Sequence, residues 1–463
     1  MINRNINFKP NKFVQSRQNT NPNMIRNGNV KPLSKSDKFK LKKILFFIRA
    51  YYNFIKDDPE KYEDKKVSLY LHLNYFNDLL CRESLFNIKW LKKNKTISIL
   101  LDLSVCEHKE IHACSLSILA SLTYFMPSII DELLENNFYD SINSNLQLES
   151  VPEKRHVFRW IYNFLAVHED LAQTFFENVL LSDICQSSID FLSNENDKHC
   201  QAMFLHIMKT KVLSIEQVGI CFDFCNFVLE NPKKKGIHYV LYGIHKILSN
   251  TDMYPTEFLC DLVVELNLEK IISSYIQDEK INRKKCFSFC LLADLYELGF
   301  QDNSHLISEL IQIINIDDLT EWFLRCVFKS IYKILVFCDQ ELVTNVLQNG
   351  IDDIMNYFTV EAFYCISLFL NRIETSYLLN FISNDYIDYI CLMIQSDEEY
   401  LIKNIITGFI RLVEAAELFN KLDVLSQSFL ECDGFSKFED RFESDDEIPS
   451  ELLNQLQQTL NKL

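Results

Sequence analysis

Residues 383–414 read SNDYIDYICLMIQSDEEYLIKNIITGFIRLVE, and this stretch contains two apolar helical segments separated by a short charged loop. A turn over residues 383–385 precedes a first helix, which the apolar spacing predicts over residues 386–395. Ser396 stands three residues before Glu399, the spacing at which the two side chains satisfy the exposed N–H groups at the start of a second helix. Neither helix can bury its apolar face alone, so the stretch predicts a unit that packs against similar neighbours.

The same order of turn, short helix, charged loop and longer helix recurs along the chain. The first apolar residue after each turn marks the copies at Ile97, Phe138, Ile184, Phe222, Leu268, Ile313, Ile351, Tyr386 and Phe435. Their mean spacing is about 42 residues, and a period of about 40–47 residues with two or three helices per copy is typical of armadillo and HEAT repeats. The individual spacings vary from 35 to 49 residues, so a generic helical protein is the alternative.

Composition agrees with helices joined by short polar loops. The chain has 463 residues but only 8 Gly and 9 Pro, which disfavours phosphate-binding α/β folds and turn-rich β-sandwiches. The sequence therefore predicts an all-α, right-handed armadillo/HEAT-like α-α superhelix. Its expected parts are a disordered basic tail (1–36), a helical cap (37–90) and about nine repeats (91–463), the last of which (428–463) closes the array.

Charge is distributed unevenly between the tail and the rest. Residues 1–49 hold twelve Lys or Arg and a single acid, Asp37, so their net charge is +11, whereas the other 414 residues carry −28. Such an acidic body disfavours nucleic acid and anionic membrane as partners and favours basic protein segments. The basic tail could bind nucleic acid, an acidic partner or its own body. If it binds its own body, deletion of residues 1–36 should raise the affinity for basic peptides.

Chemistry-bearing motifs are scarce. The chain has no GxSxG, GxxxxGK, GxGxxG, HRD or DFG motif, and we expect a non-enzymatic protein without a cofactor. The strongest metal candidate is CEHKEIHAC, with Cys106, His108, His112 and Cys114, but His112 and Cys114 would face different sides of the predicted helix, so no metal site is expected. The 15 Cys, without any CxxC pair, and the absence of an apolar leader predict reduced core thiols in a cytoplasmic or nuclear protein.

The last copy resembles a known family. FLECDGFSKFEDRFESDDEIPSELLNQLQQTL is similar to the C-terminal armadillo repeat of importin-α, the nuclear import adaptor, through Glu431, Gly434, Lys437 and Glu439. Gly434 is expected where a helix ends with positive φ. The likeness extends over roughly residues 90–463, although only about the last 35 residues are specific.

The resemblance also suggests where a ligand would bind. In importin-α a Trp, with an Asn four residues later on the third helix of each repeat, holds cargo peptides. Here Trp160 matches the Trp, but Phe164 occupies the Asn position and Asn163 is displaced by one residue, about 100° around the helix. Trp322 is followed by Cys326 in that place. Trp160, Asn163 and Trp322 are therefore the predicted peptide-binding residues.

Two functions follow from these patterns. The first is an importin-α-like adaptor that binds basic peptide segments in nuclear protein import, with an importin-β-type or acidic partner on the basic tail. That tail, KPLSKSDKFKLKK, lacks the Arg-rich segment of the family. The second is an armadillo-repeat scaffold for one dedicated cytoskeletal or signalling partner, which the incomplete Trp and Asn pattern favours.

Overall fold

The computed structural model describes residues 35–57, 63–82, 88–148, 151–195, 197–231, 235–278, 280–300, 305–314, 316, 319–357, 359–395, 399–442 and 448–463. Within these ranges the regular structure is helical, and no residue belongs to a strand. The α-helices are α1 (Lys35–Asp57), α2 (Glu63–Arg82), α3 (Ile88–Lys93), α4 (Thr96–Leu103), α5 (Lys109–Phe125), α6 (Ile130–Glu135), α7 (Phe138–Leu146), α8 (Val151–Val167), α9 (Ala172–Asn178), α10 (Leu181–Asn194), α11 (Lys198–Lys209), α12 (Ile215–Leu229), α13 (Ile237–Leu248), α14 (Thr256–Glu265), α15 (Leu268–Ile276), α16 (Arg283–Glu297), α17 (His305–Ile314), α18 (Glu321–Phe337), α19 (Gln340–Met355), α20 (Val360–Arg372), α21 (Thr375–Leu378), α22 (Asn384–Met393), α23 (Glu399–Leu418), α24 (Leu422–Glu431), α25 (Gly434–Phe442) and α26 (Ser450–Leu460). Short 3-10 helices cover Pro127–Ile129, Glu169–Leu171 and Leu379–Ile382.

The repeating unit consists of two shorter helices followed by a long one, as in α14, α15 and α16. The first two helices meet at a sharp corner, where Asn267 has a left-handed backbone with φ of 49°. The same corner recurs at Asn137 (63°), Asp433 (56°) and Lys95 (52°), each directly before the next helix. Asn and Asp adopt this conformation more readily than other non-glycine residues because their short polar side chains can bond locally. The chain thus forms its corners largely without glycine, which explains how so few glycines suffice.

One long helix follows each of the nine sequence markers in the described residues. We call these nine the long helices: α5, α8, α11, α13, α16, α18, α20, α23 and α26. The chain divides into two compact units, Met1–Gly243 and Ile244–Leu463. In the first unit α2, α5, α8 and α11 pack in sequence order, and in the second α16, α18, α20, α23 and α26 do so. Neighbours in sequence are therefore neighbours in space, as in a repeat array.

The core lies between successive long helices and the shorter helices beside them. On α23, Leu401, Ile405, Phe409 and Leu412 are all fully buried. Burial of such a side chain contributes about 1.5–3 kcal/mol, so these four side chains contribute an amount comparable to the net stability of a typical domain before the ordering entropy is subtracted. The all-α repeat fold expected from the apolar spacing is confirmed.

Arginine side chains tie two long helices of the second unit to the long helix before them. Arg372 at the end of α20 donates from Nη2 to the carbonyl of Cys338, at 2.8 Å, and also bonds the carbonyl of Leu335. Arg411 on α23 repeats this on α20 and reaches the carbonyls of Leu370 and Ile373 at 2.7 and 2.9 Å. Because the last four carbonyls of a helix lack partners within it, these guanidinium groups cap each helix from its neighbour.

Several helix boundaries differ from the sequence predictions. The helix of the opening stretch begins at Asn384, with Ser383 as its N-cap, and ends at Met393, while residues 396–398, including Ser396, lie outside the described residues. Tail residues 1–34 also lie outside them.

Three repeat markers do not start a helix. Phe222 lies inside α12, Ile313 near the end of α17, and Ile351 within α19. The pair Asn349 and Gly350 suggested a turn before Ile351, yet α19 continues through it. A Cβ on Gly350 would lie 2.7 Å from Ile311 Cγ2, so this glycine allows close packing of two helices rather than a turn.

Gly434 serves a different purpose from the one expected. It does not end a helix with positive φ: it is the first residue of α25, and the left-handed residue is Asp433 before it. A Cβ at Gly434 would lie 2.5 Å from Phe429 Cε2, and the Phe429 ring is itself fully buried against Phe409. The glycine is required by this close approach of backbone and ring.

Gly434→Ala is expected to lower the free energy of unfolding by about 1–3 kcal/mol, because Phe429 cannot move without disturbing the core. Gly219→Ala is the matched control, since a Cβ there meets nothing within 4 Å and Gly219 lies inside helix α12. That change should leave stability unchanged or raise it by about 0.5–1 kcal/mol. Urea unfolding followed by circular dichroism measures both, and equal effects would contradict the steric explanation.

A buried carboxylate joins three long helices of the second unit. Asp294 on α16 is fully buried, and its two oxygens lie 2.7 Å from His245 Nδ1 on α13 and 2.7 Å from Lys333 Nζ on α18. Lys333 also pairs with Glu297. Burial opposes the charge on His245 and Lys333, but Asp294 outweighs it and raises the pKa of both groups. The cluster therefore connects α13, α16 and α18 through specific polar contacts within an otherwise apolar interface.

Asp294→Asn is expected to cost about 3–5 kcal/mol, because it removes the charged partner of His245 and leaves Lys333 with Glu297 alone. The pKa of His245 lies above its usual 6.5, so its contribution is fully present below pH 6.5 and is lost as pH rises through the raised value. The stability difference between wild type and Asp294→Asn should therefore narrow from pH 6 to pH 9. In a His245→Gln background this narrowing should disappear, and a difference that stays constant with pH in wild type would contradict the assigned pair.

Candidate functional site

The long helices of the second unit expose tyrosines at successive positions. Tyr332 on α18, Tyr364 on α20 and Tyr400 on α23 follow one another, with ring centroids 5.4 Å apart for the first pair and 6.3 Å for the second. They surround an open pocket of about 460 Å³ that we call the Tyr364 pocket. Its lining residues are Lys329, Tyr332, Val360, Glu361, Tyr364 and Tyr400.

The hydroxyl of Tyr332 in this pocket remains protonated at neutral pH. Burial, followed by the proximity of Tyr400, raises the pKa of Tyr332 to about 12. The single cation, Lys329, lies 3.9 Å from Glu361, so the charges that line the pocket balance. With Tyr400 60% exposed, the pocket offers aromatic surface and neutral hydrogen-bonding groups to a ligand.

The first unit has a corresponding pocket, which is lined by tyrosines from three long helices. Tyr124 comes from the end of α5, Tyr162 from α8 and Tyr239 from α13, and the enclosed volume is about 340 Å³. The lining of this Tyr162 pocket comprises Tyr124, Phe125, Arg159, Tyr162, Asn163, Lys198, His199, Ala202 and Tyr239. The Tyr162 ring packs edge-on against His206 at 4.7 Å. Burial raises the pKa of Tyr162, while burial lowers the pKa of His206 to about 4, so both rings are neutral near pH 7.

The acidic residue that precedes Lys198 of the Tyr162 pocket already has a cationic partner. Asp197, the N-cap of α11, accepts from the backbone N–H of His199 and pairs with Arg155 Nε at 2.5 Å. Burial would raise the pKa of Asp197, but the hydrogen bonds from His199 and the charge of Arg155 lower it to about 2. Arg159, inside the pocket, donates to the neutral Ser121 Oγ at 3.2 Å.

Trp160, predicted to contact a peptide, is instead a core residue. Its ring has no exposed surface, lies edge-on to Phe138 at 5.1 Å, and donates from Nε1 to Thr123 Oγ1 at 2.9 Å. Thr123 belongs to α5, so this bond joins two long helices. The structure corrects the prediction at this residue, because a fully buried ring has no surface to offer a ligand.

Asn163 and Trp322 are placed differently from each other. Asn163 is 4% exposed and lines the Tyr162 pocket, but its Nδ2 donates to the carbonyl of Ala120 at 2.7 Å. Trp322 is partly exposed at the start of α18 and packs edge-on against Phe287 at 5.6 Å. It lies outside the lining of the Tyr364 pocket, and peptide contact by either residue stays a prediction.

The Cys and His cluster weighed as a metal candidate is dispersed in the structure. His108 is the N-cap of α5, whereas His112 is buried and its Nε2 lies 2.7 Å from Asn145 Oδ1. Burial raises the pKa of Cys114 to about 12. Across the described ranges, no three or more His, Cys, Asp or Glu side chains gather in a way that could hold a metal ion.

The apolar helices were also compared with the requirements of a membrane span. Among the described residues, no individual helix has the length and hydrophobicity to cross a bilayer. One helix pair, Lys109–Phe125 with Pro127–Glu135, meets those requirements only when taken together, and it is bent by 117°.

The tyrosine pockets were missed by the sequence analysis, although a weak signal exists. Tyr124 and Tyr162 are 38 residues apart, and Tyr332, Tyr364 and Tyr400 are separated by 32 and 36 residues, close to the repeat length. A search for aromatic residues that recur with the repeat period on long helices would have found them.

Comparison with known proteins supports the fold. No protein-family model matches the sequence, and no curated protein sequence is significantly similar to it. An engineered protein solved by the Northeast Structural Genomics Consortium is similar in structure, with a TM-score of 0.66 and 9% identity over 90% of this chain and 98% of that chain.

Two designed armadillo repeat proteins are more distant. The first has a TM-score of 0.41 and covers 54% of this chain, and the second, solved in complex with the peptide (KR)4, has a TM-score of 0.42 and covers 55%. Each is 16% identical to this chain, which covers 99% of its length, and a similarity this limited adds nothing to the assignment. Together with the stacking of long helices described above, the similarity to the engineered protein shows an all-α helical repeat fold.

Proposed function

We propose that the chain is a protein-binding scaffold that holds an extended peptide segment across the tyrosines of its long helices. The observation that carries this proposal is the recurrence of an open pocket in each unit that is lined by tyrosines from three long helices. Tyrosine presents a large, rigid surface with a polar tip at small cost in conformational entropy, which is why it is frequent in protein interfaces.

The spacing of the tyrosines suits an extended chain. Packed helices lie about 8–10 Å apart, and an extended peptide advances about 3.3 Å per residue, so every second or third side chain meets the next long helix. Within the Tyr364 pocket the centroids of Tyr332 and Tyr364 are 5.4 Å apart, close enough for one apolar side chain to contact both rings. Tyrosines of successive long helices would thus contact the side chains of a crossing peptide at regular intervals.

The importin-α-like role is the finer version of this proposal and remains a prediction. It rests on the sequence of the last repeat, with its expected basic cargo and a nuclear or cytoplasmic location. The scaffold role is favoured because Trp160 is buried and the exposed aromatic surface is tyrosine instead. The lining of the Tyr162 pocket, moreover, contains Arg159 and Lys198, which do not favour lysine-rich peptides.

The test is a selection of 12-residue peptides from a displayed random library on the full chain, followed by affinity measurements. Tyr332→Ser, Tyr364→Ser and Tyr400→Ser combined, and separately the same changes at Tyr124, Tyr162 and Tyr239, should each weaken peptides selected for that pocket at least about tenfold. Tyr to Phe changes at the same positions are the matched control and should keep affinity within about threefold, because the ring is retained.

Two results would contradict the proposal. One is a set of selected peptides whose affinity is unaffected by both groups of Ser changes. The other is a failure to enrich any peptide above the background of a helical protein without such pockets.

The buried position of Trp160 generates a separate prediction. Trp160→Ala should lower the free energy of unfolding by about 3–5 kcal/mol because it opens a cavity between α5 and α8. Trp160→Phe should cost less and leave the affinity for selected peptides unchanged, as measured by chemical denaturation and by titration. A variant that keeps its stability but loses affinity would restore Trp160 to the binding surface.

A further inference from the structure

The Tyr162 pocket differs from the Tyr364 pocket in its charge. None of its nine lining residues is acidic, whereas two of them, Arg159 and Lys198, are cations. In the described part of the chain neither forms an ion pair, and the recorded contact of Arg159 is to the hydroxyl of Ser121. In the Tyr364 pocket, by contrast, Lys329 faces Glu361.

Two such cations stand out in a chain with 64 acidic and 47 basic residues. Asp197, the residue before Lys198, is bonded to Arg155 and His199, so its charge is already paired. The positive charge also affects the adjacent His156. Burial, followed by the charges of Arg159 and Arg155, lowers the pKa of His156 to about 4. The pocket is therefore a small positive site on an acidic protein.

The remaining groups of the pocket suit an anion that carries an apolar stem. Tyrosine hydroxyls can donate hydrogen bonds to a carboxylate or phosphate while the rings contact the stem. A guanidinium and an ammonium that converge on one space are the usual partners of such groups. With a volume of about 340 Å³, at the lower end of ligand pockets, the space fits one side chain.

We propose that the Tyr162 pocket receives one anionic side chain of the bound segment, a carboxylate or a phosphate monoester, between Arg159, Lys198 and the tyrosine rings. This inference rests on the proposed scaffold function and adds the chemistry of its ligand. It replaces the basic ligand expected from the net charge with an acidic one in the first unit. Net charge is an average over the surface, whereas a ligand responds to the few charges that line its pocket.

The test uses four fluorinated probes of similar size: 4-fluorobenzoate, 4-fluorophenyl phosphate, 4-fluorobenzamide and 4-fluorobenzylammonium. Their affinities for the full chain are measured by fluorine NMR line broadening at pH 7 and at two salt concentrations. The two anions should bind at least about tenfold more tightly than the neutral amide, and this advantage should shrink in high salt. The ranking of benzoate and phenyl phosphate then distinguishes a carboxylate site from a phosphate site.

Variants assign the effect to the two cations. Arg159→Met with Lys198→Met should remove the preference for anions, at least about a tenfold loss, and leave the affinity for the amide unchanged. Lys209→Met with Lys211→Met is the matched control, since these exposed lysines lie outside the pocket and the change in net charge is the same. Arg159→Lys keeps the charge but loses the planar guanidinium, so it should weaken the preference for anions less than the double change to Met does.

Each outcome decides the question. No preference for anions in the wild-type chain, or an equal loss in both double variants, overturns the anionic site. If selected peptides still depend on Tyr124, Tyr162 and Tyr239 in that case, the scaffold function stands without it. If the tyrosine changes affect neither peptides nor probes, the scaffold function fails as well.

Discussion

The structure depends on one constraint: a long helix has apolar side chains on more of its circumference than a single neighbour can cover. On α5, Ile111, Leu116, Ile118, Leu119 and Leu122 are all buried, although they point in different directions around the helix. Such a helix needs α2 on one side and α8 on the other, and α8 in turn needs α11. Burial therefore propagates from each repeat to the next along the chain, and a single repeat would expose most of its apolar surface.

Polar side chains refine this packing and fix its register. Trp160 donates to Thr123 and Asn163 donates to the carbonyl of Ala120, so two residues of α8 bond to the preceding long helix. Asp294 joins its helix to two other long helices through charged hydrogen bonds to His245 and Lys333. Directional bonds within an apolar layer allow fewer alternative alignments than apolar contact alone. The tyrosines then become available for binding because other residues hold the helices together.

The sequence predicted the helix-rich repeat architecture well because apolar periodicity reports burial directly, and each marker is followed by a long helix. It predicted corners less well: Asn137 and Asn267 take the left-handed conformation commonly expected of glycine, while Gly350 and Gly434 are glycines for reasons of contact with Ile311 and Phe429. Such contacts join residues of different helices, and local patterns do not contain them.

The candidate site was the least predictable part. Periodicity shows that a residue is apolar or aromatic at a given helical angle, but not whether the adjacent repeat covers that angle. Trp160 and Tyr162 are two residues apart on α8, and one is sealed in the core while the other lines a pocket. Only the placement of α5, α11 and α13 around α8 decides between these two environments.

The arginine caps have a consequence for how such a chain changes in length during evolution. Arg372 and Arg411 bond equivalent carbonyls, those of Leu335 and Cys338 in one case and of Leu370 and Ile373 in the other. Loss or duplication of one whole repeat between them brings an arginine against carbonyls that already have the right geometry. A deletion that removes part of a repeat leaves these carbonyls without their arginine partner. The caps thus make the complete repeat the natural unit of gene duplication and loss.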